Sequence, residues 1–228
     1  MNAPTPDMSL TADLAGREVL VCVCGGIAAY KVCEVVSRLV QRGAGVTVAM
    51  TRAAQHFVGP LTLQAISGRR VLTDLWSADD QADIQHISLT ERANLVLVAP
   101  ATANVLGKIA NGIADDVVTT LLISASSRVV LAPAMNDRMW ANPAVQRNVA
   151  ILIERGFKLI GPASGWLACR AVGPGRMVEP QEILDVVVPM LNAAQTTATR
   201  PQMEDTRADG GGRGRTPAPS GRTENKAE

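Results

Sequence analysis

Glu18-Val19-Leu20-Val21-Cys22-Val23-Cys24-Gly25-Gly26-Ile27-Ala28-Ala29-Tyr30-Lys31, running on to Arg42-Gly43, decides the fold. Glu18–Cys24 reads as a continuous apolar run, the pattern of a central parallel strand buried on both faces. Gly25-Gly26 ends that strand. From Ile27 to Arg42 apolar residues recur at helical spacing, and Gly43 stops the pattern. Strand, glycine turn and helix together form the opening unit of an α/β domain.

The same unit repeats downstream. Strands are predicted at Gly45–Met50, Leu95–Ala99, Arg128–Ala132 and Phe157–Ile160. Thr51–Phe57 reads as a loop entering a helix, and Leu61–Ile66 as a helical turn or two. Further helices are expected over His86–Ala93, from Pro100–Asn104 to about Ala110, and over Val117–Ser124, Asn142–Arg155 and Pro180–Asn192. Alternation of strands and helices implies crossovers and a mostly parallel, doubly wound sheet, Rossmann-like or flavodoxin-like, in a single domain. Ligands of such sheets bind beyond the carboxyl ends of the strands. Gly25-Gly26, Thr51, Pro100–Asn104 and Pro133–Asn136 all follow strands, so four loops are expected to converge on one edge.

Composition narrows the class. Of 228 residues 47% are hydrophobic and only 3% aromatic, which suits an aliphatic α/β core. A formal net charge of +1 leaves no global field to favour nucleic acid or an anionic membrane. No apolar run approaches the ~20 residues of a bilayer span. The start, MNAPTPDMSLTADLAG, lacks the pattern of a secretion signal. Four cysteines, Cys22, Cys24, Cys33 and Cys169, fit free thiols in a reducing cytoplasm. Cys22 and Cys24, alternate residues of one strand, have the wrong spacing for a metal knuckle, and no metal site is expected. Residues 1–16 read as a polar leader and 17–193 as the folded domain. Residues 194–228 contain no Leu, Ile or Val and are expected to be disordered. The short Gly210–Arg215 run reads as part of that solvated tail.

Two segments about thirty residues apart carry unusual chemistry: Pro133-Ala134-Met135-Asn136-Asp137-Arg138-Met139-Trp140 and Leu167-Ala168-Cys169-Arg170-Ala171-Val172-Gly173-Pro174-Gly175-Arg176-Met177. Each sets one reactive or polar side chain among small and apolar neighbours. Asn136 can donate to a carboxylate without adding charge; as a bland residue it would only make a turn. Cys169 precedes Gly173-Pro174-Gly175, which reads as a mobile flap, and a thiol on a closing flap can donate a proton. The small residues at Gly25–Ala28 leave N–H groups for a phosphate, although the pattern is neither GxGxxG nor a P-loop. Thr51 offers a hydroxyl to the same phosphate, or a helix cap. Asn104 can bond the edge of a flat ring, or cap the helix after it. Of the two histidines, His86 gains a role as a base only if it reaches the strand-end pocket, and His56 is given none.

GGIAAYK, Met50–Phe57, HISL, APATAN with Lys108–Asp116, PAMNxxMW and LACxxxGxGRM occur together and in this order. Over residues 17–192 the chain resembles the flavoprotein family of FMN-dependent cysteine decarboxylases. The resemblance implies bound FMN, with its phosphate at Gly26, Ile27 and Ala28 and at Thr51, Arg52 and Ala53. Its ring would lie along Thr102, Ala103, Asn104 and Val105 and near Ala134. His86 would be the active-site base and Cys169 the proton donor. Asn136 would bind the substrate carboxylate, beside Trp166, Leu167 and Ala168. The implied reaction decarboxylates 4′-phosphopantothenoylcysteine to 4′-phosphopantetheine in coenzyme A biosynthesis. The thiol is oxidised to a thioaldehyde, CO2 is lost, and the enethiol is reduced again. A homotrimer, assembled in some members into a dodecamer, with FMN at subunit interfaces is implied as well. The chain ends without the synthetase domain of bifunctional relatives, so a monofunctional decarboxylase is expected.

Three positions depart from the family pattern: Arg170 where glycine is usual, Val105 where threonine is usual, and Gly26 where many members carry serine. Competing readings are a peptidyl-cysteine decarboxylase, a flavin prenyltransferase, a non-catalytic regulatory subunit and a plain nucleotide-binding module. PAMN and LAC oppose the prenyltransferase. Asn136 and Cys169 together are left unexplained by the nucleotide-binding module.

Overall fold

The computed structural model describes residues 12–75, 88–126, 128–168, 170 and 172–193. His86, Cys169, most of the leader and the tail lie outside the described residues. Five strands form one sheet: β1 (Glu18–Val23), β2 (Gly45–Met50), β3 (Leu95–Ala101), β4 (Arg128–Pro133) and β5 (Lys158–Leu159). Their spatial order is β2-β1-β3-β4-β5 and every pairing is parallel. This is the flavodoxin-like order, and the chain reverses direction across the sheet between β1 and β3.

Alternation along β1 builds two cores. Val19, Val21 and Val23 enter one buried cluster, and Leu20, Cys22 and Cys24 enter the other. The first face is covered by α1 (Ala29–Gln41), α2 (Pro60–Ser67) and α8 (Pro180–Ala193). The second is covered by α4 (Ala103–Ala110), α5 (Val117–Ser124) and α7 (Pro143–Glu154), while residues 88–92 form the short helix α3. All seven residues of β3 are buried. Each buried Val or Leu contributes about 1.5–3 kcal/mol, so this double burial holds the strand ends in place.

The structure contains two features that the sequence reading did not give. Asp137–Trp140 forms a one-turn helix, α6, that was not expected. Residues Ala163–Trp166 (β6) and Val172–Arg176 (β7) pair antiparallel as a separate hairpin. That segment was read as a mobile glycine flap. Its glycines permit close docking. A Cβ on Gly175, at φ +136°, would strike the Met135 carbonyl oxygen and come within 3.3 Å of the Asn136 carbonyl carbon. The Met135 N–H donates to Gly175 O at 2.9 Å, fastening the hairpin to the segment after β4.

Candidate functional site

A cleft of about 1040 Å³ opens at the carboxyl ends of the strands, at the switch point between β1 and β3. Its floor is the turn after β1. Gly25 must be glycine, because a Cβ there would collide with Ala53 Cβ and lie 2.9 Å from the Ala53 backbone carbon. The loops after β1 and β2 therefore close on each other. Helix α1 then begins at Ala28 with no side-chain cap. The N–H groups of Gly26, Ile27 and Ala28 make no hydrogen bond to another described residue. Three free donors at a helix start, beside the exposed Arg52, form a cradle for a phosphate, so the residues present fit one. Thr51 Oγ1 accepts from Ala54 N–H at 3.2 Å and keeps its own proton to donate.

The second wall follows β3. Thr102, not Asn104, caps α4: its Oγ1 accepts from Val105 N–H at 3.4 Å. The capping role considered for Asn104 is thereby corrected, because a cap precedes the first helical turn and Asn104 lies within it. Asn104 is exposed and lines the cleft. Val105 is buried, and its N–H is already taken by the Thr102 cap.

The third wall joins the segment after β4 to the hairpin. Asn136 caps α6, its Oδ1 accepting from Arg138 N–H at 2.9 Å. That bond holds the side chain at the start of α6, where Asn136 lines the cleft. Trp166 is 63% exposed while Leu167 is buried. Arg170 adopts φ +64°, and its N–H donates to Leu167 O at 2.9 Å. A left-handed backbone is where glycine costs nothing, which gives the departure at this position a physical meaning.

Lys31, Arg176 and Lys108 at the cleft are each paired with a carboxylate. Lys31 Nζ donates to both Glu179 oxygens, at 2.9 and 2.8 Å, and Arg176 also pairs with Glu179. Across the cleft Lys108 pairs with Asp115 at 2.7 Å and Asp116 at 3.2 Å. Hydrogen bonding to Asp115 raises the Lys108 pKa, so it stays cationic. Burial drives the Cys24 thiol up to about 12 and raises Cys22 and Cys33 as well. None of these three supplies a thiolate near neutral pH.

Gly26, Ile27 and Ala28, Thr51–Ala53, Thr102–Val105 and Ala134 all line this single cleft, and so do Asn136 and Trp166–Ala168. His86 and Cys169, expected as base and acid, lie outside the described residues. The sequence reading gave no role to Lys31, Lys108, Asp116 or Arg176, which also line the cleft. Lys31 ends the GGIAAYK motif and Arg176 lies within GxGRM, a signal that was available. Among the described residues no three potential metal ligands gather, and no helix is long and apolar enough to cross a membrane.

Comparison with known proteins agrees with this geometry. The profile of the flavoprotein family matches residues 7–192. The coenzyme A biosynthesis bifunctional protein CoaBC of Bacillus subtilis is 52% identical over 171 residues, covering 75% of this chain and 42% of that protein. Its counterpart in Vibrio cholerae is 50% identical over 171 residues, with 75% and 43% covered. The chain thus spans less than half the length of these curated relatives. Among solved structures, a cysteine-to-serine mutant of PPC decarboxylase complexed with pantothenoylaminoethenethiol superposes with a TM-score of 0.66 at 31% identity, over 76% of this chain and 97% of that one. The FMN-dependent cysteine decarboxylase SpaF gives 0.68 at 33%, over 80% and 99%. With this fold, this cleft and a family match over nearly all the described residues, the chain belongs to the flavoprotein family.

Proposed function

We propose that the cleft binds FMN and decarboxylates 4′-phosphopantothenoylcysteine to 4′-phosphopantetheine, a step of coenzyme A biosynthesis. One observation carries this reading: an uncapped phosphate cradle, a wall of small residues and the Asn136 amide line the same strand-end cleft. The similarity to a PPC decarboxylase and to an FMN-dependent cysteine decarboxylase supports it. Bound FMN supplies a reversible two-electron oxidation of the substrate thiol, which creates the electron sink that loss of CO2 requires.

The chain's own residues bind, orient and move protons. Gly26, Ile27 and Ala28 donate backbone N–H groups to the phosphate, helped by Thr51, Arg52 and Ala53. Thr102–Val105 and Ala134 provide a flat, close-approach wall for the ring. Asn136 donates its amide to the substrate carboxylate, and the cap to Arg138 N–H holds it in that orientation. His86 takes the proton released as the substrate is oxidised. Cys169 returns a proton to carbon after CO2 has left. Trp166, Leu167 and Ala168 cover the substrate and exclude water.

The assembly is a homotrimer, with FMN at subunit interfaces. Ile27 and Tyr30, 61% and 60% exposed beside the cradle, support a second copy covering this rim. The compartment is the cytoplasm, where Cys22, Cys24 and Cys33 remain free thiols.

The decisive test incubates purified, FMN-loaded protein with 4′-phosphopantothenoylcysteine and follows 4′-phosphopantetheine and CO2 by mass spectrometry. Product formation is expected. Cys169→Ser should accumulate the decarboxylated enethiol, and His86→Asn should form neither product. Absence of product with FMN bound would overturn the substrate assignment, and peptides ending in cysteine would then be the substrates to try.

A further inference from the structure

We propose that Glu179 is a positioning residue that couples the cofactor cradle to the hairpin by holding Lys31 of α1 and Arg176 of β7 on one carboxylate. The inference rests on the FMN reading above. Lys31 lies one turn beyond Ala28, and its side chain is only 13% exposed. Its Nζ donates to both oxygens of Glu179. Arg176 is the last residue of β7, and its guanidinium lies across the other strand: a Cβ on Gly165 would stand 3.1 Å from Arg176 Nη1. Holding Arg176 therefore holds both strands of the hairpin. Glu179 is itself anchored, since its backbone N–H donates to Glu182 Oε1 at 3.0 Å at the start of α8.

The two cations line the cleft and the carboxylate does not. Glu179 thus reaches the ligands only through its partners. Hydrogen bonds from Lys31, then Arg176, hold its carboxyl below the ordinary range, so it is charged wherever the enzyme works. An exposed ion pair contributes little by itself. This one differs because a mostly buried lysine, a hairpin strand and a helix start share a single anchor. Through this shared anchor the start of α1 and the hairpin are held in one arrangement.

The test titrates FMN into cofactor-free protein and reads fluorescence quenching, with no substrate present. Glu179→Gln should weaken FMN by about fivefold, allowing for the partial exposure of the pair. Glu179→Asp should recover part of that loss. Because Lys31 and Glu179 act as a unit, Lys31→Met with Glu179→Gln should lie within about 1.5-fold of the weaker-binding single variant. Amide exchange over residues 163–168 and 172–176 should quicken in both Glu179→Gln and Arg176→Met. In turnover, Glu179→Gln should raise KM more than it lowers kcat. An FMN Kd within about 1.5-fold of the parent in Glu179→Gln, or single effects that multiply in the double variant, would overturn the coupling. A lowered melting temperature with unchanged Kd would overturn it too, leaving only a structural ion pair. A parent that binds FMN but forms no product breaks the proposed reaction and leaves this comparison standing. A parent that binds no FMN overturns both.

Discussion

The turn after β1 and the β6–β7 hairpin both place glycines against the cleft, yet they are held in opposite ways. The turn continues β1, an interior strand of a five-stranded sheet, with Val23, Cys24 and Ala54 buried around it. The hairpin stands outside that sheet, with Trp166 and Val172 63% and 74% exposed. It is fastened through the Met135–Gly175 bond and the Arg176–Glu179–Lys31 network. The turn after β1 is therefore expected to be protected like the core, and the hairpin to open locally at lower cost.

The largest expected effects come from adding one methyl group to each region. Gly25→Ala drives a Cβ into the Ala53 backbone and should cost about 3 kcal/mol of global stability, read as a shift of the urea midpoint. Gly175→Ala combines a collision with Met135 O and an unfavourable φ, at a similar local cost of about 3 kcal/mol. It should speed amide exchange over 163–176 and move the global midpoint by less than about 1 kcal/mol, since the sheet does not depend on the hairpin. Equal midpoint shifts in the two variants would erase the contrast.

Asn136→Ala probes the seam between the regions. It removes the α6 cap, at about 1 kcal/mol, and the proposed carboxylate donor, so KM for 4′-phosphopantothenoylcysteine should rise about tenfold or more. A change in stability alone would reduce Asn136 to a cap. Arg170→Gly should stabilise the hairpin by about 1 kcal/mol, because φ +64° costs glycine nothing, and exchange there should slow. Unchanged exchange would mean that the turn is not strained.

Lowering the pH tests the fastening without a mutation. Because the Glu179 carboxyl is held below its ordinary value of 4.5 by Lys31 and then Arg176, its contribution is fully present above that value. It is lost as pH falls below 4.5 through the lowered value, so hairpin exchange should rise there before the sheet unfolds. Gly26→Ser is the mildest change. A Cβ at Gly26 meets nothing closer than 3.7 Å, so the variant should leave stability within about 0.5 kcal/mol and tighten FMN about threefold through one added hydroxyl. A loss of stability would show that the cradle is as tightly packed as Gly25.

The sheet and the cradle were legible because their signals are local. The apolar run of β1 ends at Gly25-Gly26, and the expected bounds of β2 and α5 coincide with those observed. The hairpin was not legible. ASGW and VGPGR lack β-branched alternation, and Pro174 with its flanking glycines reads as a chain breaker. DRMW is too short to display a helical period, so α6 was missed. At α4 only Asn104 was considered for the cap, and the backbone geometry places Thr102 there instead.

The sequence by itself determined the parallel sheet, the order of its strand-end loops and the family resemblance, because apolar period and motif order are properties of neighbouring residues. The tertiary structure alone decided how the hairpin docks on Met135 and that Lys31, Glu179 and Arg176 meet. Lys31 and Glu179 are 148 positions apart in the chain, and no local pattern relates two side chains that only the folded sheet and its flanking helices bring within 2.8 Å.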